Sequence, residues 1–271
     1  MPPQTPAPKY KAMQLLRMFE RPAPPAAKFP ADRVGFAIGD IHGRADLLAD
    51  MLAMLEARAN EETRAGGPPI VIFLGDYVDR GPDSKGVLDL LLEGRPLGCE
   101  VRCLKGNHEQ SMLGFLDDPM AYRAWLLQGG AETLLSYGVQ PPPPVGAEEH
   151  DWIGVAQLLM AKLPPGHFDF LQGLERYVEL GDYAFVHAGI DAGRRLDEQT
   201  DEDLFWARAA FIASKRPFSH RIVHGHTPVE QPYADSRRVA VDTGAYASGT
   251  LTAARLEADQ LSFLSVSRRA R

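Results

Sequence analysis

Five short apolar runs punctuate the chain, and each ends at once in glycine and polar side chains. Val34-Gly35-Phe36-Ala37-Ile38 runs into Gly39-Asp40-Ile41-His42-Gly43, and Ile70-Val71-Ile72-Phe73-Leu74 into Gly75-Asp76-Tyr77-Val78-Asp79-Arg80-Gly81. Glu100-Val101-Arg102-Cys103-Leu104 precedes Gly106-Asn107-His108-Glu109, Tyr183-Ala184-Phe185-Val186 precedes His187-Ala188-Gly189, and Arg221-Ile222-Val223 precedes His224-Gly225-His226-Thr227-Pro228. Short β-branched, apolar runs read as strands buried on both faces. Between the first three lie helical patterns, Ala45 to Arg58 with Leu47, Leu48, Met51, Leu52 and Leu55 on one face, and Val87 to Leu92. The resulting βαβαβ order predicts a parallel sheet with right-handed crossovers. All three polar tips then meet at the carboxyl edge of one sheet, where such folds bind ligands.

The middle of the chain changes period. Residues 109–175 read as helical and irregular, with helices over Ser111 to Leu116, Ala121 to Leu127, Ala131 to Tyr137 and Asp151 to Leu163, and a loop at Pro141 to Pro144. This region is expected to be a helical insertion covering one side of the site, its aromatic and leucine residues serving as core. Alternating stretches over Arg238 to Asp242, Gly249 to Ala254 and Leu261 to Val266 predict a second, mixed sheet behind the first. The expected fold is α/β (α+β by some schemes): a two-sheet mixed β-sandwich flanked by helices. The Pro- and Ala-rich residues 1–30 read as a tail, with one short amphipathic helix over Tyr10 to Glu20, and 31–271 as the domain.

Composition narrows the possibilities. With 29 basic against 36 acidic residues and a net charge of −7, broad nucleic-acid binding by charge is not expected. No stretch approaches the roughly 18 apolar residues of a membrane span, and the N-terminus lacks the apolar core of a secretory signal. The two cysteines, Cys99 and Cys103, form no disulfide framework, so a reducing, cytoplasmic setting is expected.

The tips carry the chemistry. Unpaired charge is costly to bury, so a buried strand has no structural use for Asp76, Asp79 and Arg80 at its end. A lone histidine is more often a core or surface residue than a ligand; several tips in register reverse those odds. Asp40 and His42, two apart, offer an oxygen and a nitrogen to one side, and mixed O and N donors suit Mn²⁺, Fe or Zn²⁺ better than Ca²⁺. Spacing alone does not choose between His224 and His226. Arg44 and Glu109 are expected to cap or pair locally, and His150, His167 and His220 to lie on the surface. Asp242-Thr243-Gly244 closes a late strand near the site.

Taken together, the five tips resemble the motifs of the calcineurin-like metallophosphoesterases, and within them the phosphoprotein phosphatase branch in its compact bacterial and bacteriophage form. The resemblance spans residues 33 to 266, and Trp125 to Gly130 and Trp206 to Arg208 also look like segments of that form. It implies a two-sheet sandwich and two divalent metal ions, most simply Mn²⁺, with Fe or Zn²⁺ as alternatives. Asp40, His42 and Asp76 would hold one ion, and Asp76, Asn107, His187 and His226 the other, with Asp76 bridging and a water activated for in-line attack on phosphorus. It further implies His108 as general acid oriented by Asp79, and Arg80 and Arg208 as phosphate ligands, while His224 is expected behind the ligands. The implied reaction is hydrolysis of phosphate monoesters on Ser, Thr or Tyr side chains of proteins, or of a small phosphorylated substrate. Symmetrical cleavage of dinucleoside tetraphosphates is the alternative, against which the Asp79–His108 pair counts. A metal-dependent phosphodiesterase or nuclease is a third reading, disfavoured by the two arginines and the acidic net charge. No nucleic-acid or membrane partner is expected.

Overall fold

The computed structural model describes residues 27–93, 98–143 and 145–268, and the helix expected over Tyr10 to Glu20 lies outside them. The elements run β1 (Gly35–Ile38), α1 (Ala45–Glu62), β2 (Ile70–Phe73), α2 (Ser84–Glu93), β3 (Glu100–Cys103) and α3 (Asn107–Asp117). A 3₁₀ turn (Arg123–Gln128), α4 (Gly130–Ser136), α5 (Glu149–Lys162) and α6 (Pro165–Gln172) follow. The second half comprises β4 (Tyr177–Leu180), β5 (Tyr183–Val186), α7 (Asp201–Trp206), α8 (Ala209–Ala213), β6 (Arg221–His224), β7 (Tyr233–Ala234), β8 (Arg238–Ala240), α9 (Ala245–Ser248), β9 (Thr250–Glu257) and β10 (Gln260–Ser267). Among the described residues, no helix is long and apolar enough to cross a membrane.

Two five-stranded sheets form, in the orders β10-β9-β1-β2-β3 and β4-β5-β6-β8-β7. β1, β2 and β3 pair in parallel, as do β5, β6 and β8. Side chains alternate across each strand, so β2 sends Ile70 and Ile72 between the sheets and Val71 and Phe73 outward. The inter-sheet layer adds Phe185, Val223 and Val239 from the second sheet. Phe29, ahead of β1, is buried edge-on against Tyr183 and Phe185. Helices α1, α2, α3 and the insertion cover the outer face of the first sheet, while Leu204, Phe205 and Phe211 cover that of the second.

One expectation about the sheets is corrected. β9 and β10 close the first sheet, β9 running antiparallel to β1, and β8 alone of the closing strands joins the second. Alternation reveals which residues face inward, not which strand lies alongside. β9 presents apolar residues to both cores (Leu251 and Ala253 outward, Ala254 and Leu256 between the sheets), as a strand beside β1 must. β4 and β7, unanticipated, are short edge strands.

Candidate metal centre and catalytic site

The strand tips leave the sheet by sharp turns rather than by extended chain. Six non-glycine residues among those described have positive φ, and five are at the tips: His42 (45°), Asp76 (53°), Asp79 (76°), Arg80 (66°) and His226 (61°). Left-handed conformations are costly for such residues, and they concentrate where function fixes geometry. Two glycines are required for another reason. A Cβ on Gly106 would sit 2.2 Å from Asp76 Oδ1, and one on Gly225 2.1 Å from Asp40 Oδ1. These turns bring two carboxylates against backbone that no larger residue would permit.

The tips converge on two groups of donors joined by one carboxylate. Asp76 Oδ2 lies 3.5 Å from His42 Nε2, and Asp76 Oδ1 lies 3.4 Å from His187 Nε2. Asp40 Oδ2 is 4.0 Å from His42 Nε2, and both Asp40 oxygens accept the His226 amide at 3.1 Å. On the other side, His187 Nε2 is 3.0 Å from Asn107 Oδ1 and 3.2 Å from His226 Nδ1. Neighbouring carbonyls set the tautomers. His42 Nδ1 donates to Val78 O (2.9 Å) and His187 Nδ1 to Leu74 O (2.8 Å), which turns each Nε2 lone pair into the site.

Electrostatics agree with a cation site. Burial holds the imidazoles of His42, to about 3, and His226, to about 2, far below the usual histidine range, and lowers that of His187. All three are therefore neutral donors at physiological pH. Burial, then Asp242 and Asp76, push Asp40 upward against the His226 amide and Arg80, so three carboxylates crowd one place. Burial works against ionised Asp76 too, but His187, His108, His42 and His226, positively charged in the acid range where this carboxyl titrates, outweigh it, and its pKa lies well below normal. Asp76, His187 and His226 form one cluster able to hold a metal, and His42, Asp76 and His108 another. His226 Nε2 is buried without a hydrogen-bond partner. These neutral nitrogens, crowded oxygens and Asp76 facing both ways fit two cations.

Beside the metal groups sits a buried acid–base pair. His108 Nδ1 donates to Asp79 Oδ2 at 2.6 Å. Two residues of the insertion complete the shell of Asp79: Trp125 Nε1 donates to Oδ2 (2.7 Å) and the Thr133 hydroxyl to Oδ1 (2.6 Å). The Asp79 amide in turn donates to Thr133 Oγ1 (2.9 Å) and Ser84 Oγ (3.0 Å). Burial raises the Asp79 pKa against these donors. At His108 burial opposes protonation, yet Asp76 and Asp79 overcome it and the pKa is raised. Trp125 is a core residue as expected, tilted against Phe115 with ring centroids 5.1 Å apart, but its indole edge also serves the site. Sequence reasoning missed that role and Thr133 altogether.

Arg80 reaches across this arrangement, its guanidinium nitrogens 2.9 Å from His42 Nε2 and 3.0 Å from His108 Nε2. Tyr246, in α9, was also not singled out. The Arg80 guanidinium lies 5.0 Å over its ring, and the His42 ring meets it edge-on at 5.4 Å. Arg208 is exposed between α7 and α8, close enough to disfavour protonation of His226.

The remaining polar residues divide. His224 has partners of its own: its Nδ1 donates to Gly225 O (3.0 Å), its Nε2 accepts from Arg238 (3.2 Å), and its ring meets Phe211 edge-on. Arg44 pairs with Asp46 and donates to Ala245 O. Glu109 does far more than pair locally, accepting the amides of Asp76 (2.9 Å), Tyr77 (2.7 Å), Val78 (3.2 Å) and Gly106 (2.9 Å). It thereby fixes the turn that carries Asp76. His167, expected on the surface, is buried, because Tyr137 (2.7 Å) and Asp89 (3.0 Å) satisfy both ring nitrogens. His150 is exposed and His220 partly so.

Comparison with known proteins finds a family and several relatives. A family model described as calcineurin-like phosphoesterase matches residues 36–260. Serine/threonine-protein phosphatase 1 of Salmonella typhimurium is 26% identical over 230 residues, covering 82% of this chain and 91% of that protein. An asymmetrical bis(5′-nucleosyl)-tetraphosphatase, PrpE of Geobacillus thermodenitrificans, is 28% identical over 197 residues, covering 68% and 74%. A crystal structure of a cold-active protein-tyrosine phosphatase of a Shewanella species superposes with a TM-score of 0.55 at 17% identity, over 87% of this chain and 80% of that one.

Proposed function

The chain belongs to the calcineurin-like phosphoesterase family and is a hydrolase of phosphoric esters; from that premise we propose that it removes phosphate from phosphorylated proteins, at serine, threonine or tyrosine side chains. One observation carries the reading. The two oxygens of Asp76 face separate imidazole groups, and a buried Asp79–His108 pair stands 3.9 Å away at its His108 Nε2. We assign Asp40, His42 and Asp76 to one cation and Asp76, Asn107, His187 and His226 to a second, with Mn²⁺ the best match to the donor set. When bound, two such ions polarise phosphoryl oxygens and acidify a water.

The protein's own groups do the rest. Arg80 and Arg208 fork onto the non-bridging phosphate oxygens and orient the ester. His108 gives its Nε2 proton to the leaving oxygen, and Asp79 steadies the imidazolium that is poised to do so. Asp79 is itself held by Trp125 and Thr133, so the insertion contributes to the acid's aim. Cleavage of dinucleoside tetraphosphates is the second reading, favoured by the name of the Geobacillus relative. A general acid counts for most when the leaving group is a poorly stabilised alkoxide, as in phosphoserine.

A panel assay of the purified protein separates these readings. Chelated protein should lose turnover and regain it with Mn²⁺, and phosphopeptides should be cleaved faster than dinucleoside tetraphosphate or a bis-phosphodiester. A preference for the dinucleotide would replace the first reading with the second, and full activity after chelation would exclude both.

The arginines can be told apart from the ligands. Arg208→Ala removes a charge-assisted contact worth about 1.5–3 kcal/mol, so kcat/KM should fall roughly ten- to a hundredfold with metal content unchanged. Arg80→Ala should lose at least as much, because Arg80 also lies against His42 and His108. Unaltered kcat/KM in either variant would make that arginine structural.

A further inference from the structure

A polar seam leads from Asp79 into the insertion. The Thr133 hydroxyl gives its only proton to Asp79 Oδ1 and accepts from the Asp79 amide, so the Ser84 hydroxyl, 2.8 Å away, is the donor between the two. Ser84 opens α2, Thr133 stands in the middle of α4, and both are fully buried. Farther along α4, Ser136 Oγ accepts the Lys85 amide at 3.2 Å and donates to Thr133 O at 2.8 Å. Tyr137, directly after α4, meets His167 Nδ1 at 2.7 Å. His167 Nε2 lies 3.0 Å from Asp89 Oδ1, and the other Asp89 oxygen accepts from Lys85 Nζ at 2.7 Å. Burial lowers the His167 pKa, so the ring is neutral. A carboxylate only accepts, so Nε2 carries the ring's proton and Nδ1 takes that of the Tyr137 hydroxyl. Each hydrogen bond of the seam thus has one direction.

We propose that His167 is a positioning residue for the general acid: by pinning Tyr137 to α2 it sets the seat of α4, and with it the hold of Thr133 on Asp79 and of Asp79 on His108. This rests on the reading of His108 as the acid and adds how the insertion keeps it in line. α4 has seven residues between Gly129 and Gly138, both at positive φ (112° and 68°). A helix that short does not hold itself, since about 12–15 residues are marginal in isolation. Its seat must come from its neighbours. Buried Leu134 anchors α4 to the core, but apolar contact is non-directional and tolerates a slide or a turn about the helix axis. Hydrogen bonds at Thr133, Ser136 and Tyr137 fix both. Stability alone does not call for them, because replacing both partners of a buried hydrogen bond by apolar groups of the same shape is often nearly neutral. Aim does call for them, since misplacement by about 1 Å from a change far from the chemistry can cost up to a hundredfold in rate.

Tyr137→Phe combined with His167→Phe keeps two buried rings, orphans no buried polar group, and leaves Asp89, already partly exposed, to Lys85 and water. In the full-length, Mn²⁺-loaded protein this double variant should melt close to wild type, retain both ions and keep KM. Its kcat on a phosphoserine peptide should fall about tenfold, while kcat on p-nitrophenyl phosphate, whose leaving oxygen needs little protonation, stays within about twofold. His167→Gln, with an amide to donate to Asp89 and a carbonyl to accept from Tyr137, should recover most of the peptide rate. Tyr137→Phe alone removes one hydroxyl and should show the same split at smaller size, which carries the test if the double variant does not fold. An unchanged kcat on the peptide, or an equal fall on both esters, would overturn the positioning role. His108→Asn is measured alongside. Equal losses on both esters in that variant would overturn the reading of His108 as the acid, whereas a split there without one in the His167 variants would overturn this inference alone.

Discussion

His226→Ala should release one of two bound ions per chain and lower turnover on the order of a thousandfold, whereas His224→Gln should keep both. The two histidines flank Gly225 and differ in what surrounds them. His226 Nδ1 lies 3.2 Å from His187 Nε2, in a group that Asn107 and Asp76 complete, and burial holds it neutral. His224 is no less buried, and burial keeps it neutral at about 4, yet both ring nitrogens already face Gly225 O and Arg238. Loss of an ion removes several kcal/mol of charge stabilisation, about 1.4 kcal/mol for each factor of ten. Loss of a residue behind the ligands costs about ten- to a hundredfold. Elemental analysis after gel filtration reads the difference directly. One ion in the His224 variant with two in the His226 variant would reverse the assignment.

The convergence of the candidate site was legible in the sequence because strand burial and glycine stops are local signals. Asp40, Asp76, Asn107, His187 and His226 each stand at the end of an apolar run, and parallel crossovers bring such ends together whatever lies between. The groups that hold these residues were not legible. Trp125 and Thr133 lie 46 and 54 positions from Asp79, and a tryptophan beside leucines reads as core. Glu109 sits one residue from His108, and its four amide contacts depend on a turn whose φ values no motif states. His167 illustrates the converse error. With no strand tip beside it, it reads as a surface residue, but Tyr137 and Asp89 supply the two partners that allow an imidazole to be buried. The sheet partners of β9 and β10 were illegible for a related reason, since period-2 alternation fixes faces and not neighbours.

His108→Asn should lower kcat by about 10²–10⁴ on phosphoserine peptides with two ions retained. The loss should shrink on p-nitrophenyl phosphate, whose leaving oxygen needs little protonation. The pH profile supplies the sign. Burial disfavours the imidazolium, but Asp76 and Asp79 prevail, so the folded pKa of His108 is raised above the ordinary histidine value. An acid of raised pKa keeps its proton at and below that pKa, and kcat should decline as pH climbs through it. Asp79→Asn removes one of the attractions that raise it, so the alkaline limb should move to lower pH as well as lower in rate. Trp125→Phe keeps most of the buried ring and removes the donor at 2.7 Å from Asp79 Oδ2. The carboxylate then loses a stabilising partner and its own pKa rises further, but the His108–Asp79 hydrogen bond remains. Its rate should accordingly lie between wild type and Asp79→Asn, with the same leaving-group dependence. Equal losses on alkyl and nitrophenyl esters across all three variants would remove His108 from the acid's role, leaving the pair as a support for Asp76 alone.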